Sequence, residues 1–352
     1  MILISENPLS PISSILRNSE KIVLEDIGAG KGNLSTVNLV RFNSIERDLV
    51  VKMSLKEQSK ILASPITLER FKIMHNTEVS VYKILENYPE SNILRPKVYD
   101  MKEMTYLNGK VDAGHITMEM IECCQPISVM ENLTVNQVTE VVIQVARFHA
   151  LGYNLSKEEK STIPIHLIDT WFVELFCEKN MSLFIKLLSN GFAELVGENL
   201  MKKSIAAFVQ IFESENLEKL NNDCEFERVL CHGDVWPPNL LFAKEQESSC
   251  LKFKALCDFQ TSNFGNPAQD LTRLFCSTLS GSDRRTNTRK LLELYYQELS
   301  NHCSPSFSVE MLEKEYAKFL PFAAAVICVP TPIRAIMQIR ETVDENEKST
   351  VY

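Results

Sequence analysis

Two carboxylates and one carboxamide stand in a pattern that suits phosphoryl transfer. Four residues separate Asp234 from Asn239 in the run His-Gly-Asp-Val-Trp-Pro-Pro-Asn, and Asp258 follows in a second apolar segment. Kinase-type transfer needs an Asp at the acceptor hydroxyl, an Asn that holds a metal ion, and a second metal-binding Asp. The three residues fit these catalytic roles in chain order, with Asn239 and Asp258 as the metal ligands.

The apolar segments on both sides of this loop bear on its interpretation. Asp and Asn are ordinary turn residues, so the spacing alone also arises by chance. Here Val229-Leu230 precede the loop and Leu240-Leu241-Phe242 follow it, as expected of buried strands that hold polar groups rigidly. Acidic groups between buried strands are costly unless a cation compensates them. We therefore favour the catalytic interpretation and expect a bound cation.

A glycine-rich segment, Gly28–Asn33, lies between two stretches of β character near the N-terminus. It is not a dinucleotide fingerprint, because Asn33 replaces the third glycine and a strand-like stretch follows where a helix is required. It is not a Walker loop, because its lysine is followed by glycine instead of Ser or Thr. A plain hairpin turn and a turn whose backbone approaches phosphates both remain, and its position ahead of Lys52 favours the second. The phosphate-binding glycines would be Gly28, Gly30 and Gly32.

A lysine in a short strand and a glutamate in the following helix are the next candidates. Lys52 stands in the β-prone run Asp48–Met53, where a third strand would carry the lysine that contacts ATP phosphates. Since a strand lysine usually points at solvent, the partner decides its role. Glu78 falls on an apolar stripe of the helix predicted over 67–85, where a charge is expensive unless it is paired. We predict a Lys52–Glu78 ion pair, with Glu69 as the alternative.

Together these motifs resemble the choline-kinase-like group, which includes the ecdysteroid-kinase-like proteins, within the aminoglycoside and choline phosphotransferase superfamily. The resemblance runs from about Ile27 to about Leu274 and is densest from Val229 onwards. It implies an α+β, bilobal, protein-kinase-like fold, with a small β-rich, nucleotide-binding N-lobe over 1–120 and a larger, mainly helical C-lobe over 121–352. It also implies ATP and Mg²⁺ as cofactors and a small-molecule alcohol, steroid-like or amino-alcohol-like, as the acceptor.

Further roles follow from the same resemblance. The backbone near Glu119 and Ile121 would receive the adenine edge, and an ordinary core role for the neighbouring methionines is compatible with this. The segment Gly265–Arg273 resembles the one after the metal Asp, and we expect Asp270 to brace the catalytic loop through hydrogen bonds. Aromatic residues of the C-lobe would line the acceptor pocket or form helix core. They are Trp171, Phe172, Phe176, Phe184 and Phe192.

The second half of the chain is predicted to be mainly helical. A capped amphipathic helix should begin after Thr134, with His149 on its apolar side as a hydrogen-bonded core histidine. Further helices are predicted near 168–188, 197–220, 289–299 and 309–326.

Three departures separate this chain from protein kinases. Gly233 stands where Arg is usual, Trp236 where a Lys commonly assists transfer to proteins, and Gln260 where Asp-Phe-Gly has its glycine. No Ala-Pro-Glu motif follows, so the pattern favours a small-molecule acceptor over a protein. The alternative is a nucleotide-binding pseudokinase or scaffold without turnover. The chain has a suitable polar residue at every position where a kinase-type site needs one, which argues against this alternative.

The composition restricts the class of protein further. A chain of 352 residues with 45% hydrophobic residues suits a globular enzyme of two lobes. A net charge of −9 argues against nucleic-acid binding. No apolar run would span a bilayer, and the N-terminus lacks the features of a signal peptide. Ten cysteines without Cys-x-x-Cys spacing are typical of reduced thiols. We expect a cytosolic location, and the oligomeric state stays open.

Overall fold

The structure is a computed structural model that divides the chain into two compact units. Unit 1 comprises Met1–Pro126, Asn154–Pro164 and Asn239–Ser262, and unit 2 comprises Ile127–Tyr153, Ile165–Pro238 and Asn263–Tyr352. The lobe boundary expected at residue 120 stays a prediction. The residues that the structure describes are 22–26, 36–42, 48–53, 68–107, 110–112, 114–129, 131–165, 197–224, 226–244 and 251–328, with single positions between 182 and 189.

Unit 1 contains an antiparallel five-stranded sheet in the order β1-β2-β3-β7-β4. Its strands are β1 (Ile22–Asp26), β2 (Thr36–Phe42), β3 (Leu49–Met53), β4 (Val98–Lys102) and β7 (His115–Glu119). Two of the three inner strands, β3 and β7, each contain two β-branched residues and are mostly buried. Lys52 lies opposite Ile116 of β7 and is only 7% exposed, so its charge needs a partner inside the unit.

The chain before and after residues 108–109 forms two antiparallel ladders. β4 pairs with β7 in antiparallel register, and a second ladder of β5 (Thr105–Leu107) and β6 (Lys110–Asp112) extends the connection between them. The turn residues themselves lie outside the described residues.

The first helix of unit 1, α1 (Leu68–Asn87), presents its apolar stripe to a turn later in the chain. Glu78, Tyr82 and Leu85 on this stripe are buried, as the sequence pattern predicted. The Tyr82 ring meets the Phe259 ring edge to face, with 5.3 Å between the centroids. Since Phe259 directly follows Asp258, this contact holds α1 beside the predicted metal Asp.

A second antiparallel sheet of unit 1 positions the candidate metal ligands. It consists of β8 (Cys124–Pro126), β10 (Leu240–Lys244) and β11 (Leu251–Leu256), in the order β11-β10-β8. Leu240 at the start of β10 is the register partner of Leu256 at the end of β11. Asn239 and Asp258, which flank these two residues in sequence, therefore lie at the same end of the hairpin.

Unit 2 is mainly helical, and in it β9 (Val229–Cys231) pairs with β12 (Asn263–Gly265) to form a small antiparallel sheet. Thr134 caps α2 (Val135–Asn154), since its Oγ1 accepts the Gln137 N–H at 3.3 Å. The predicted apolar face of α2, including His149, is buried. The helix predicted over 197–220 is divided in two, and that near 168–188 falls mostly outside the described residues. Within the described residues the other helices are α3 (Lys157–Ser161), α4 (Glu198–Ile211), α5 (Ser214–Asn222), α6 (Pro267–Thr278), α7 (Gly281–His302) and α8 (Val309–Cys328).

None of the helices in the described ranges combines the length and the apolar character needed to cross a bilayer.

The close approach of α2 to β9 supplies a test of the packing in unit 2. A Cβ atom at Gly152 would lie 2.7 Å from the backbone nitrogen and from the Cβ of Leu230, so Gly152→Ala forces two elements apart. We expect a loss of about 1–3 kcal/mol of unfolding free energy, measured by urea denaturation. Gly281→Ala is the matched control, because its Cβ would meet only the end of the Arg285 side chain. Equal midpoints for the two variants would contradict this account of the packing.

Candidate active site

Lys52 holds two carboxylates within unit 1. Its Nζ atom lies 2.6 Å from Glu78 Oε2 and 2.8 Å from Asp258 Oδ1. The predicted Lys52–Glu78 pair is thus confirmed, while the alternative Glu69 lies 3.4 Å from Lys72 instead. A strand, a helix and the turn after β11 each contribute one charged group to this cluster.

Charge neutralisation stabilises the Lys52 cluster. Burial by itself would lower the pKa of Lys52, but the carboxylates of Asp258 and Glu78 outweigh it and raise that pKa above its ordinary value. Burial raises the pKa of Glu78, and the charge of Lys52 opposes the rise. Glu78 is 1% exposed, whereas the Asp258 side chain is 30% exposed. Asp258 is therefore the member of the cluster that a ligand in solution can reach.

Asn239 and Asp258 form a donor set that fits Mg²⁺. Asn239 is 6% exposed, and its backbone carbonyl oxygen accepts the Cys257 N–H at 3.1 Å, so the backbone of Asn239 lies beside the residue that precedes Asp258. A carboxylate and a carboxamide offer the hard oxygen ligands that Mg²⁺ takes. The Pro237-Pro238 pair begins the 3-10 helix that ends at Asn239, and the fixed φ of proline suits such a first turn.

The turn at Asp258 has an unusual backbone. Asp258 adopts a left-handed conformation with φ of 67°, which Asp tolerates better than most residues. Gln260 Nε2 lies 3.4 Å from its Oδ2, while Lys52 takes the Oδ1 atom. Sequence reasoning noted Gln260 only as a departure from Asp-Phe-Gly and missed this contact.

The backbone at the end of β7 is the position at which the resemblance predicts contacts with an adenine edge. The Glu119 and Met120 N–H groups donate to the carbonyl oxygens of Lys97 and Asp48. The Lys97 N–H, which stands opposite the Glu119 carbonyl, donates to the Glu119 carboxylate at 2.8 Å. In the part of the chain that the structure describes, we find no hydrogen bond from the Ile121 N–H. The contacts of Glu119 and Ile121 with the adenine edge stay a prediction.

In unit 2, Asp270 holds the backbone that leads into Asp234. The His232 N–H donates to its Oδ2 at 2.7 Å, and the Gly233 N–H donates to its Oδ1 at 2.9 Å, so the predicted bracing contacts are present. Gly233 has a φ of 83°, a conformation that residues with a side chain rarely adopt. This backbone explains why the arginine of protein kinases has no counterpart here.

A buried hydrogen-bond network keeps Asp270 ionised. Burial opposes its charge, but the contact with His149 and the N–H of His232 hold the pKa of Asp270 below its ordinary value. His149 contacts Asp270 Oδ2 at 3.0 Å through Nε2 and the Tyr295 hydroxyl at 2.7 Å through Nδ1, as predicted for a core histidine. Cys231 also lies close enough to complete a metal site with them. Since both ring nitrogens already have partners, we interpret this cluster as structural.

Asp234 is paired with an arginine that sequence reasoning did not assign to it. Arg273 Nε and Nη2 lie 2.7 and 2.5 Å from Asp234 Oδ1. The guanidinium group also lies over the Trp236 ring, 5.1 Å from its centroid. The spacing of Asp270 and Arg273, one helical turn apart, could have indicated that both face the same loop.

Other predicted residues lie outside the described residues. They are Gly28, Gly30 and Gly32 of the glycine-rich segment, and the aromatic series from Trp171 to Phe192.

Comparison with known proteins assigns the chain to a family. The DUF1679 model, described as "Uncharacterized oxidoreductase dhs-27", matches residues 34–352, so the chain belongs to that family. It is 27% identical over 198 residues to the Caenorhabditis elegans "Uncharacterized kinase-like protein D1044.1", covering 54% of this chain and 48% of the relative. It is 25% identical over 234 residues to the C. elegans "Uncharacterized oxidoreductase dhs-27", covering 64% of this chain and 26% of the relative. The chain thus matches about half of one relative and a quarter of the other.

A solved structure, the complex of APH(2")-IIia with GDP and kanamycin, shares the fold. The match covers 97% of this chain and 98% of that chain, with a TM-score of 0.53 and 15% identity. The kinase-like fold predicted from the motifs is therefore confirmed.

The charge of Asp270 leads to a prediction about acid stability. Because its folded-state pKa is lowered, its stabilising effect is fully present above the ordinary pKa of 3.8 and is lost as the pH falls below that value. The Asp270→Asn variant should have an unfolding free energy about 3 kcal/mol lower than the wild type at pH 7. As the pH falls below about 4, the melting temperature of the variant should decrease less steeply than that of the wild type. Thermal denaturation followed by circular dichroism from pH 3 to 7 measures both effects.

The exposed substitution Asp223→Asn in the same unit is the control and should keep the wild-type melting temperature at pH 7. If the melting temperatures of the wild type and of Asp270→Asn fall in parallel with pH, Asp270 is not the group responsible for the loss of stability in acid.

Proposed function

We propose that this member of the DUF1679 family transfers the γ-phosphoryl group of ATP to a hydroxyl group of a small molecule. One observation carries the proposal: Lys52 contacts both Glu78 and Asp258. A kinase-type site needs a lysine for the nucleotide phosphates, a glutamate that orients the lysine, and an aspartate that holds a metal ion. These three groups form one buried cluster in unit 1.

In this proposal unit 1 binds the nucleotide. Lys52 would bind the α- and β-phosphates, and Glu78 would keep its ammonium group in place. The glycine-rich segment, with Gly28, Gly30 and Gly32, would cover the phosphates with backbone N–H groups. The Glu119 carbonyl and the Ile121 N–H would receive the adenine edge. Asn239 and Asp258 would hold Mg²⁺, which when bound neutralises charge on the phosphates.

Asp234 would act on the acceptor. Its carboxylate would accept a hydrogen bond from the acceptor hydroxyl, direct that oxygen towards the γ-phosphorus, and take up the proton as the new bond forms. The loop that carries it is held by Asp270 through the N–H groups of His232 and Gly233. Catalysis would then rest mainly on positioning and on charge neutralisation.

The acceptor we propose is a small-molecule alcohol, either steroid-like or amino-alcohol-like. The absence of an Ala-Pro-Glu sequence after Asp258 and the loss of the Asp-Phe-Gly glycine at Gln260 argue against a protein acceptor. A steroid would require a large apolar pocket, whereas an amino alcohol would require an aromatic cage or acidic rim.

A metabolite screen tests the proposal directly. The protein is incubated with Mg·ATP and a mixed panel of sterols, amino alcohols and sugars, and the products are examined by mass spectrometry for the gain of one phosphate. Transfer should depend on Asp234 and on Mg²⁺. Binding of Mg·ATP without transfer to any acceptor, and without ATP hydrolysis, would indicate a nucleotide-binding protein that lacks turnover.

Nucleotide binding should stabilise the protein only when the metal is present. With Mg·ATP at a hundredfold excess over its Kd, we expect about 2.7 kcal/mol of stabilisation, measured as a rise in melting temperature. Asp258→Asn should remove most of the Mg²⁺-dependent part, because it removes one of the two ligands. Asp112→Asn, an exposed change in the same unit, should respond like the wild type. A rise of equal size with ATP and a chelator would disprove the metal assignment.

Asp234→Asn should separate chemistry from binding. We expect kcat to fall by about 10² to 10⁴, the usual range for a lost general base, while calorimetry should find nearly normal Mg·ATP affinity. Lys52→Met should weaken both. If Asp234→Asn turns over at the wild-type rate, the catalytic role is wrong. If it cannot bind Mg·ATP, Asp234 belongs to the metal site.

A further inference from the structure

One face of α6 holds three consecutive residues of the catalytic loop. Asp270 and Arg273 stand one turn apart on this helix. Asp270 accepts the N–H groups of His232 and Gly233, and Arg273 contacts the carboxylate of Asp234. The helix thus fixes the backbone of the first two residues and the side chain of the third.

This helix is itself fixed at its start. The Asn266 side chain accepts the Ala268 N–H at 2.9 Å and donates to Glu315 Oε2 of α8 at 2.7 Å. Leu271 and Leu274 on α6 are completely buried. Arg273 therefore projects from a rigid element, and its guanidinium group starts from a defined position.

The contacts of Arg273 leave it little freedom. Its side chain is 13% exposed, and two of its nitrogens lie within hydrogen-bond distance of the same oxygen of Asp234. Its guanidinium carbon lies over the Trp236 ring, 5.1 Å from the ring centroid. A planar fork that stacks on an aromatic ring while binding a carboxylate is a geometry that lysine cannot reproduce.

The loop supplies no cation of its own beside Asp234. Residues 232–239 contain neither lysine nor arginine. The Asp234 carboxylate is only 24% exposed, and a partly buried charge of this kind is unfavourable without a counter-charge. Arg273 provides that charge from a different element, 39 residues further along the chain.

We propose that Arg273 is the positioning residue for Asp234 in phosphoryl transfer, with Trp236 holding the guanidinium group in place. The inference rests on the proposed function. The terminal torsion of an aspartate is broad, so an unpaired carboxylate samples many orientations. Arg273 binds Oδ1 and so limits the rotation of the carboxylate that would contact the acceptor hydroxyl. Arg273 stays protonated throughout, and the hydroxyl proton goes to Asp234.

The test uses ATP hydrolysis, in which water is the acceptor, so that no identified alcohol is needed. Inorganic phosphate released from Mg·ATP is measured for the wild type, Arg273→Gln, Arg273→Lys, Asp234→Asn and the double variant Arg273→Gln/Asp234→Asn. Arg273→Gln should lower kcat about 10- to 100-fold, because misplacement of about an ångström costs that much. Its Mg·ATP affinity by calorimetry should stay within about twofold of the wild type. Arg273→Lys should recover only part of the rate.

The double variant gives the sharpest result. If Arg273 acts only through Asp234, the double variant should be no slower than Asp234→Asn alone. Losses that multiply would show that Arg273 acts independently of Asp234 and would overturn the proposal. A wild-type rate in Arg273→Gln would overturn it as well. A wild-type protein that binds Mg·ATP but neither releases phosphate nor transfers it to any acceptor of the metabolite panel would instead disprove the proposed function.

Two further variants separate positioning from stability. Arg289→Gln removes another arginine of unit 2, one that pairs with Glu293 and Glu310, and should leave the rate unchanged. Trp236→Leu removes the stacking ring but leaves the ion pair, and should lower kcat less than Arg273→Gln does. If Arg273→Gln fails to fold, Trp236→Leu provides the test, and a wild-type rate in that variant would contradict the role of the stacked guanidinium.

Discussion

The burial of one ammonium group is the constraint on which unit 1 depends. Lys52 lies on an inner strand with its side chain only 9% exposed, and a lysine in such a place is stable only beside carboxylates. Glu78 comes from α1 and Asp258 from the turn after β11, a residue 206 positions away in sequence. The five-stranded sheet, α1 and the turn after the β10–β11 hairpin therefore pack around the charge of Lys52. This packing brings Glu78 and Asp258 to the same place.

Unit 2 contains the opposite case, a buried carboxylate that shapes a loop. Asp270 is 1% exposed and is stabilised by two backbone N–H groups and by His149. Because the donors belong to His232 and Gly233, the charge of Asp270 determines the path of the chain immediately before Asp234. The stability of the fold and the geometry of the proposed catalytic residue thus depend on the same hydrogen bonds. Substitutions at Asp270 report on both, whereas substitutions at Arg273 separate them.

Local periodicity explains which parts of the site were predictable from the sequence. Glu78 could be paired with Lys52 because a helical stripe places an acid on an apolar face, and Asp270 was identified by its resemblance to a known segment. The contacts of Gln260 with Asp258 and of Arg273 with Asp234 were not foreseen. The Gln260 contact depends on the direction of a side chain in a turn, which no simple period encodes. The Arg273 contact could have been expected from the helical spacing of Arg273 and Asp270. The division of the helix predicted over 197–220 was missed because its composition remains helical throughout.

The two ion pairs place different demands on the proposed reaction. Lys52 contacts Asp258 Oδ1, yet the proposal also requires Lys52 to bind phosphates and Asp258 to bind Mg²⁺. Each group would exchange one opposite charge for another, so the buried charges stay compensated while nucleotide binds. The contact between Lys52 and Asp258 also stabilises the left-handed backbone conformation of Asp258 before any ligand binds. The strain of this conformation is therefore part of the free energy of folding and not of the free energy of binding. The Arg273–Asp234 pair needs no such exchange, because neither residue is proposed to bind the nucleotide phosphates or Mg²⁺. Nucleotide binding would then reorganise unit 1, while the base in unit 2 keeps its orientation.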